Sequence, residues 1–119
     1  DLPEELSEIF TYKQGQYLTF KATINGEEIR RSYSLCSSPL DGQLQIGVKK
    51  ITDGRFSTFA NDILKAGDTI EVMPPNGNFF IDTDPNIKRQ YAVFAAGSGI
   101  TPILSIIKTH LNAEPKSTF

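Results

Sequence analysis

Ten residues, Arg30 to Pro39, concentrate the side chains best suited to chemistry: Arg-Arg-Ser-Tyr-Ser-Leu-Cys-Ser-Ser-Pro. Two cations, a tyrosine and four serines are closed by a proline, a composition too polar for an ordinary core strand. In an extended strand, alternation puts Arg31, Tyr33 and Leu35 on one face. A guanidinium and an aromatic ring then lie side by side, roughly 7 Å apart along the strand. The fork of N–H donors suits a phosphate and the ring face suits a flat heterocycle, so the matching ligand is a nucleotide or a flavin. The same run also reads as an exposed edge strand with scattered polar residues.

Two glycine-containing loops add to this. In Gly54-Arg55-Phe56-Ser57-Thr58, glycine frees the backbone to turn, amides follow at a helix start, and hydroxyls are at hand for an anion. Ordinary N-capping by Ser57 or Thr58 explains the same residues. Gly97-Ser98-Gly99-Ile100-Thr101-Pro102 follows an apolar run and opens a helical pattern, the setting of a dinucleotide loop. Pro102 stands where the usual fingerprint has its third glycine, so this is a variant.

The elements that must position these groups are legible in outline. Leu2 to Phe10, with Pro3 and two acids, suits a short helix. Gln16 to Ile24 alternates as a half-buried strand, and Asn25-Gly26 is a strong hairpin turn that returns the chain through Ile29 to Ser38. After a turn at Asp41-Gly42, Gln43 to Ile51 is a third strand with Leu44, Ile46 and Val48 on one face. Phe59, Ala60, Ile63 and Leu64 recur at helical spacing up to Gly67, and Thr69 to Met73 is another strand before a Pro74–Asn78 loop. Asp82 to Gln90 reads as a polar connector. Beyond it, Tyr91 to Ala96 predicts a strand buried on both faces, and Ile103, Leu104, Ile107 and Leu111 predict the apolar side of a helix that Pro102 starts.

Composition narrows the function. A net charge of −2 with scattered Lys and Arg argues against a nucleic-acid surface. No apolar run reaches membrane-spanning length. The single cysteine, Cys36, cannot form an internal disulfide, which fits a reducing, cytoplasmic compartment. One Cys and one His do not make a soft-ligand set, so no metal site is expected. Cys36 is expected to be a small buried side chain, His110 to be solvated or near the helix C-terminus and not a catalyst, and Phe79 and Phe80 to be core.

Arg31-Ser32-Tyr33-Ser34, Gly54-Arg55-Phe56-Ser57, Pro75-Asn76-Gly77-Asn78-Phe79 and Gly97-Ser98-Gly99-Ile100-Thr101-Pro102 occur in that order over nearly the whole chain. Together they resemble the ferredoxin–NADP reductase-like flavoprotein family, and within it most closely the branch of reductases that serve bacterial phenylacetyl-CoA epoxidases. The resemblance implies a mainly β fold: a six-stranded antiparallel FAD-binding barrel with one helix over residues 1–88, its first strand missing here. Residues 89–119 would be the first β-α unit of a doubly wound NAD(P)H-binding domain. It also implies a 2Fe–2S domain in a missing C-terminal part. The implied activity is that of an FAD-dependent oxidoreductase passing electrons from NAD(P)H to an iron–sulfur centre, with a ferredoxin-type domain or an oxygenase component as acceptor.

Carried over by the resemblance, Arg31 binds the FAD pyrophosphate, Tyr33 packs on the isoalloxazine, and Ser34 approaches the flavin N5 edge. Gly47, Val48 and Lys49 match the strand beside the ribityl and adenosine parts. Gly54, Phe56, Ser57 and Thr58 match the pyrophosphate loop. Gly97 and Gly99 let the NAD(P)H phosphates come close, and Thr101 sits near the arriving nicotinamide. Ser34 and Thr101 are thus the residues expected at the reacting centre. Strict alternation puts Ser34 opposite Tyr33, so the strand must bend or end there. The chain reads as a fragment expected to be inactive in hydride transfer and to cover its open edges by dimerising or exchanging segments. The other function class is a non-catalytic barrel that holds a flavin or nucleotide, or serves assembly.

Overall fold

Asn25 and Gly26 both adopt positive φ, 53° and 79°, and so make the tight turn that the Asn-Gly pair favours. The turn joins strand β1 (Tyr17–Ile24) to β2 (Glu27–Ser34) in antiparallel register, Tyr17 opposite Ser34 and Ile24 opposite Glu27. A third strand, β3 (Glu71–Asn76), pairs antiparallel with the other edge of β1, giving the order β2-β1-β3. Pro74 and Pro75 lie within β3; one can face the open side of this edge strand, and both fall where the ladder to β1 is irregular, between the Thr19–Met73 and Tyr17–Asn76 pairs. The computed structural model describes residues 2–119.

The sheet has two chemically distinct faces. On one, Lys21 pairs with Glu71 and Glu28, Arg30 pairs with Glu28, and the Thr19 and Ser32 hydroxyls are 2.8 Å apart. On the other, Leu18, Ile29 and the following residue Leu35 are buried, and Phe20 packs on Tyr33. Full burial of a leucine such as Leu35 contributes about 1.5–3 kcal/mol. Against this face pack a one-turn helix, α1 (Arg55–Thr58), and the π-helical turn Phe59–Ile63 that continues it. Phe56 and Ser57 are buried side chains they contribute.

Three sequence expectations are met in weaker form. Residues 43–51 keep the expected alternation, with Leu44, Ile46 and Val48 less exposed than their neighbours, but they pair with the sheet through one bridge, Leu35 to Ile46. The N-terminal helix is a single 3-10 turn, Glu4–Leu6. The strand placed at 69–73 lies instead at Glu71–Asn76.

The second half of the chain departs further. Residues 92–96 are exposed, with Phe94 93% accessible, not buried on both faces as their apolar run predicts. A parallel strand needs neighbours on either side, and among the described residues only Thr118 pairs there, parallel to Gln90. Helix α2 (Ile100–Ala113) forms as expected, but on a different face. Ile103, Ser105, Ile106, Thr109 and His110 are buried, whereas Ile100, Leu104 and Leu111 face outward. Polar side chains hold the inner face because each finds a partner across the contact: Ser105 Oγ donates to the Ser37 carbonyl at 2.6 Å, and the Ser38 and Thr109 hydroxyls are 2.9 Å apart.

Candidate functional site

Arg31 and Tyr33 share the core-side face of β2, since Arg31 lies opposite Phe20 and Tyr33 opposite Leu18. The face that carries Ile29 and Leu35 therefore also carries a guanidinium. Arg30 pairs with Glu28, Arg55 with Glu27 and Arg89 with Glu114. Arg31 makes no ion pair among the described residues; its Nη1 donates to the Arg30 carbonyl at 2.7 Å. Burial pushes the Tyr33 hydroxyl pKa up, and the neighbouring Arg31 charge pulls the other way.

The Tyr33 ring stacks on Phe56, with centroids 5.7 Å apart and planes 30° apart, and Phe20 completes the group at 6.2 Å from each. The two sequence motifs, 23 positions apart, thus meet through an aromatic contact. Ser34 ends β2 and lies on the opposite face from Tyr33. Beyond Ser34 the chain still bonds to the segment before β1, the Leu35 amide donating to the Gln16 carbonyl at 2.9 Å.

The 54–58 turn is tightly built. A Cβ at Gly54 would collide with Ser57 Oγ and the Ile51 side chain, so glycine is required here by close approach and not by φ, which is −75°. Ser57 is buried; its hydroxyl accepts from the Ile51 amide at 3.3 Å and lies 3.4 Å from the Gly54 carbonyl. Thr58 is half-buried, and its amide donates to the Gly54 carbonyl at 3.0 Å. Asn61 Nδ2 donates to the Val48 and Ser57 carbonyls, tying the 46–51 segment to the helix. Lys49 is exposed on that segment. Phe20, Ile46, Val48, Phe56, Ala60, Leu64 and Ile70, with Asn61 as the polar member, line an open cleft of about 300 Å³.

The structure also brings Thr101 to this segment. A Cβ at Gly47 would stand 3.2 Å from Thr101 Cγ2, so the methyl rests against the glycine. The Thr101 hydroxyl donates to the Ser98 carbonyl at 2.9 Å, fastening the Gly97–Gly99 turn to α2. Gly97, at φ 55°, is exposed, and Gly99 is half-buried. Among the described residues no hydrogen bond or ion pair joins Arg31 to the 54–58 turn.

One buried cluster lies where the sequence suggested none. His110 lies in the last turn of α2, as one expectation had it, but is fully buried and not solvated. Its Nδ1 is 3.2 Å from Glu114 Oε1, its Nε2 is 3.4 Å from Gln14 Nε2, and its ring meets Tyr91 edge-on at 5.1 Å. Burial alone would raise the Glu114 carboxyl pKa. Donation from the Ser117 and Tyr91 hydroxyls and the Asp84 amide, with His110 beside it, outweighs that and lowers it to about 2. The i,i+4 spacing of His110 and Glu114 was the available signal. Cys36 is half-buried, with Sγ 3.4 Å from the Gln45 carbonyl, and Phe79 is 59% exposed, against the core positions expected for both.

Residues 1–81 match the family model described as an oxidoreductase FAD-binding domain. The chain is 46% identical over 118 residues to a component of the 1,2-phenylacetyl-CoA epoxidase of Escherichia coli (strain K12), covering 99% of this chain and 33% of that protein. It is 39% identical over 112 residues to the ferredoxin reductase component of 3-ketosteroid-9-alpha-monooxygenase from Rhodococcus rhodochrous, covering 92% of this chain and 31% of that one. Among solved structures it is similar to phthalate dioxygenase reductase, described as a modular structure for electron transfer from pyridine nucleotides to 2Fe–2S. The TM-score is 0.65 at 29% identity, over 90% of this chain and 32% of that chain. The chain thus spans about a third of the length of each of these proteins. A match over residues 1–81 that contains both the Arg31–Ser34 strand and the Gly54–Thr58 turn makes this chain a member of the oxidoreductase FAD-binding domain family.

Proposed function

We propose that this chain is the flavin barrel (1–88) and the opening of the nicotinamide-binding unit (89–119) of an FAD-dependent NAD(P)H oxidoreductase. The longer protein passes electrons from NAD(P)H through FAD to an iron–sulfur centre that supplies an oxygenase, of the phenylacetyl-CoA epoxidase or aromatic-ring type. The names of the relatives support this reading: one belongs to an epoxidase, one is the ferredoxin reductase of a monooxygenase, and one is a dioxygenase reductase. A cytoplasmic location accords with the unpaired Cys36.

The observation that carries the proposal is Arg31. An exposed arginine with no carboxylate partner among the described residues, on the face of the strand that carries a stacked tyrosine, adds little to stability. It suits a ligand that brings its own negative charge and its own flat ring. The donor set therefore fits FAD. When bound, FAD supplies the hydride-accepting and single-electron chemistry. The protein's part is to hold it: Arg31 and the Gly54–Thr58 turn at the pyrophosphate, with the Phe56 and Ser57 amides as donors and the Gly54 and Thr58 amides bonded within the turn, Tyr33 at the ring, and Gly47, Val48 and Lys49 along the chain between. Ser34 lies toward the N5 edge. Gly97, Gly99 and Thr101 receive the nicotinamide nucleotide.

The test is FAD titration followed by flavin absorbance and fluorescence. Arg31→Ala is expected to weaken FAD binding by about tenfold or more, the worth of a charge-assisted hydrogen bond. Lys88→Ala, on the polar connector, is expected to leave it unchanged. Equal retention of FAD by both variants would overturn the site assignment. No flavin uptake by the unaltered protein would favour an assembly module instead.

A further inference from the structure

Thr101, Ser105 and Thr109 are spaced by four along α2 and so share one side of it, Ser105 and Thr109 buried and Thr101 half-buried. Each has one partner on the segment that leaves β2 or on its neighbour. Thr101 rests its methyl on Gly47. Ser105 donates to the Ser37 carbonyl, and Thr109 meets the Ser38 hydroxyl while donating to the Ser105 carbonyl at 2.7 Å. Ser37, Ser38 and Ser105 are completely buried and Thr109 nearly so. Ser37 is itself held: its hydroxyl lies 2.7 Å from Tyr12 Oη and donates to the Gln43 carbonyl at 2.8 Å.

We propose that Ser105 and Thr109 are positioning residues that set where Thr101 stands over the Gly47–Lys49 segment. This rests on the function proposed above. The physical case is one of directionality. Apolar packing lets a helix slide and rotate over a surface at little cost, whereas short hydrogen bonds in a dry contact fix both its register and its rotation. Two such bonds, one and two turns below Thr101, fix the helix at its lower end. The glycine at 47 leaves just enough room at the upper end for the Thr101 methyl. Gly47 does not adopt a positive φ, so the space it leaves, and not backbone freedom, is its contribution. The Thr101 hydroxyl then holds the Gly97–Gly99 turn through Ser98, so the seam sets that turn relative to the Gly47–Lys49 segment as well.

The test uses the protein at the full length of its relatives, loaded with FAD. Thr109→Val keeps the side-chain shape and removes the hydroxyl, Ser105→Ala removes the second bond, and Thr109→Ser restores the hydroxyl. Asn112→Ala, on the exposed side of the same helix, is the control. Two quantities are read: FAD bound per chain, and the long-wavelength charge-transfer absorbance that arises when NADH or NADPH places its ring on the flavin. The expected result is unchanged FAD content with charge-transfer absorbance reduced by about tenfold in Thr109→Val and Ser105→Ala, a scale consistent with a misplacement well under 1 Å. Thr109→Ser and Asn112→Ala are expected to match the unaltered protein. Unchanged absorbance in both deletion variants would overturn the proposal. So would parallel loss of FAD and absorbance, which would mark the seam as structural support only. An unaltered protein that takes no FAD would instead refute the function on which the proposal rests.

Discussion

Tyr33 stacks on Phe56 across 23 residues of sequence, with the two ring planes 30° apart. One ring comes from the core-side face of β2 and the other from the helical turn packed on it. Phe56 is 3% exposed and also meets Phe20 and Phe59. It is therefore both a core residue and the wall behind Tyr33. Phe56→Ala is expected to destabilise the fold by about 3–5 kcal/mol, the usual cost of deleting a buried ring. Phe56→Leu should cost less than half of that. Urea denaturation of both variants measures the difference. FAD affinity of the leucine variant, which keeps the fold, then tells how far Tyr33 depends on that wall.

Gly54→Ala tests the turn. The added methyl meets Ser57 Oγ and Ile51 at distances real side chains do not adopt, so the turn must open. Ser57 loses its place beside the Ile51 amide, and the cost is expected to be about 1–3 kcal/mol, that of overpacking a close contact. Ser57→Ala removes the hydroxyl without the clash and should cost about 1 kcal/mol. Thermal melts rank the two. Equal effects would mean that the hydroxyl, and not the close approach, is what the glycine protects.

These elements differ in how plainly the sequence announces them. The β1–β2 hairpin was legible because Asn25-Gly26 encodes its own backbone geometry and the flanking alternation fixes the register. Arg31 and Tyr33 on one face followed from the same period of two. The inner face of α2 was not legible from hydrophobicity. Leu104 and Leu111 satisfy the helical spacing of a core stripe yet lie outside, because Ser105, Thr109 and His110 find buried polar partners in segments far away along the chain. Burial of a hydroxyl is decided by whether a partner waits across the contact, and that information is non-local. Likewise an apolar run such as 91–96 specifies a preference for a sheet interior but cannot supply the neighbouring strands.

The Glu114 cluster predicts a pH dependence. Its carboxyl is held at about 2 in the folded chain, against an ordinary value of 4.5. A group with a lowered folded pKa contributes stability that is fully present above its unfolded value and lost as pH falls through its folded one. The contribution of Glu114 is therefore complete above about pH 5 and fades between there and about pH 2. Glu114→Gln should lower stability at neutral pH and flatten the acid limb of the stability curve. Denaturant midpoints of the two proteins should converge as the pH approaches 2. Curves that stay parallel throughout would show that the carboxylate's bonds to Ser117, Tyr91 and Asp84 carry no such linkage.

The two adjacent arginines should respond oppositely to removal. Arg30 is exposed and paired with Glu28, so Arg30→Leu forfeits a surface ion pair worth about 0–1 kcal/mol and leaves FAD affinity as it was. Arg31, exposed, has no carboxylate partner among the described residues and sits on the face that carries Ile29 and Leu35. Arg31→Leu in the FAD-free protein is therefore expected to raise stability by about 0.5–2 kcal/mol, as apolar side chains do when they replace a functional polar group beside a core. The same substitution should lower FAD affinity by about tenfold or more. Denaturation in the absence of FAD and titration in its presence measure the two effects separately. A loss of stability on Arg31→Leu without FAD would show the guanidinium to be structural, because a residue kept for a ligand's charge should be missed only when the ligand is present.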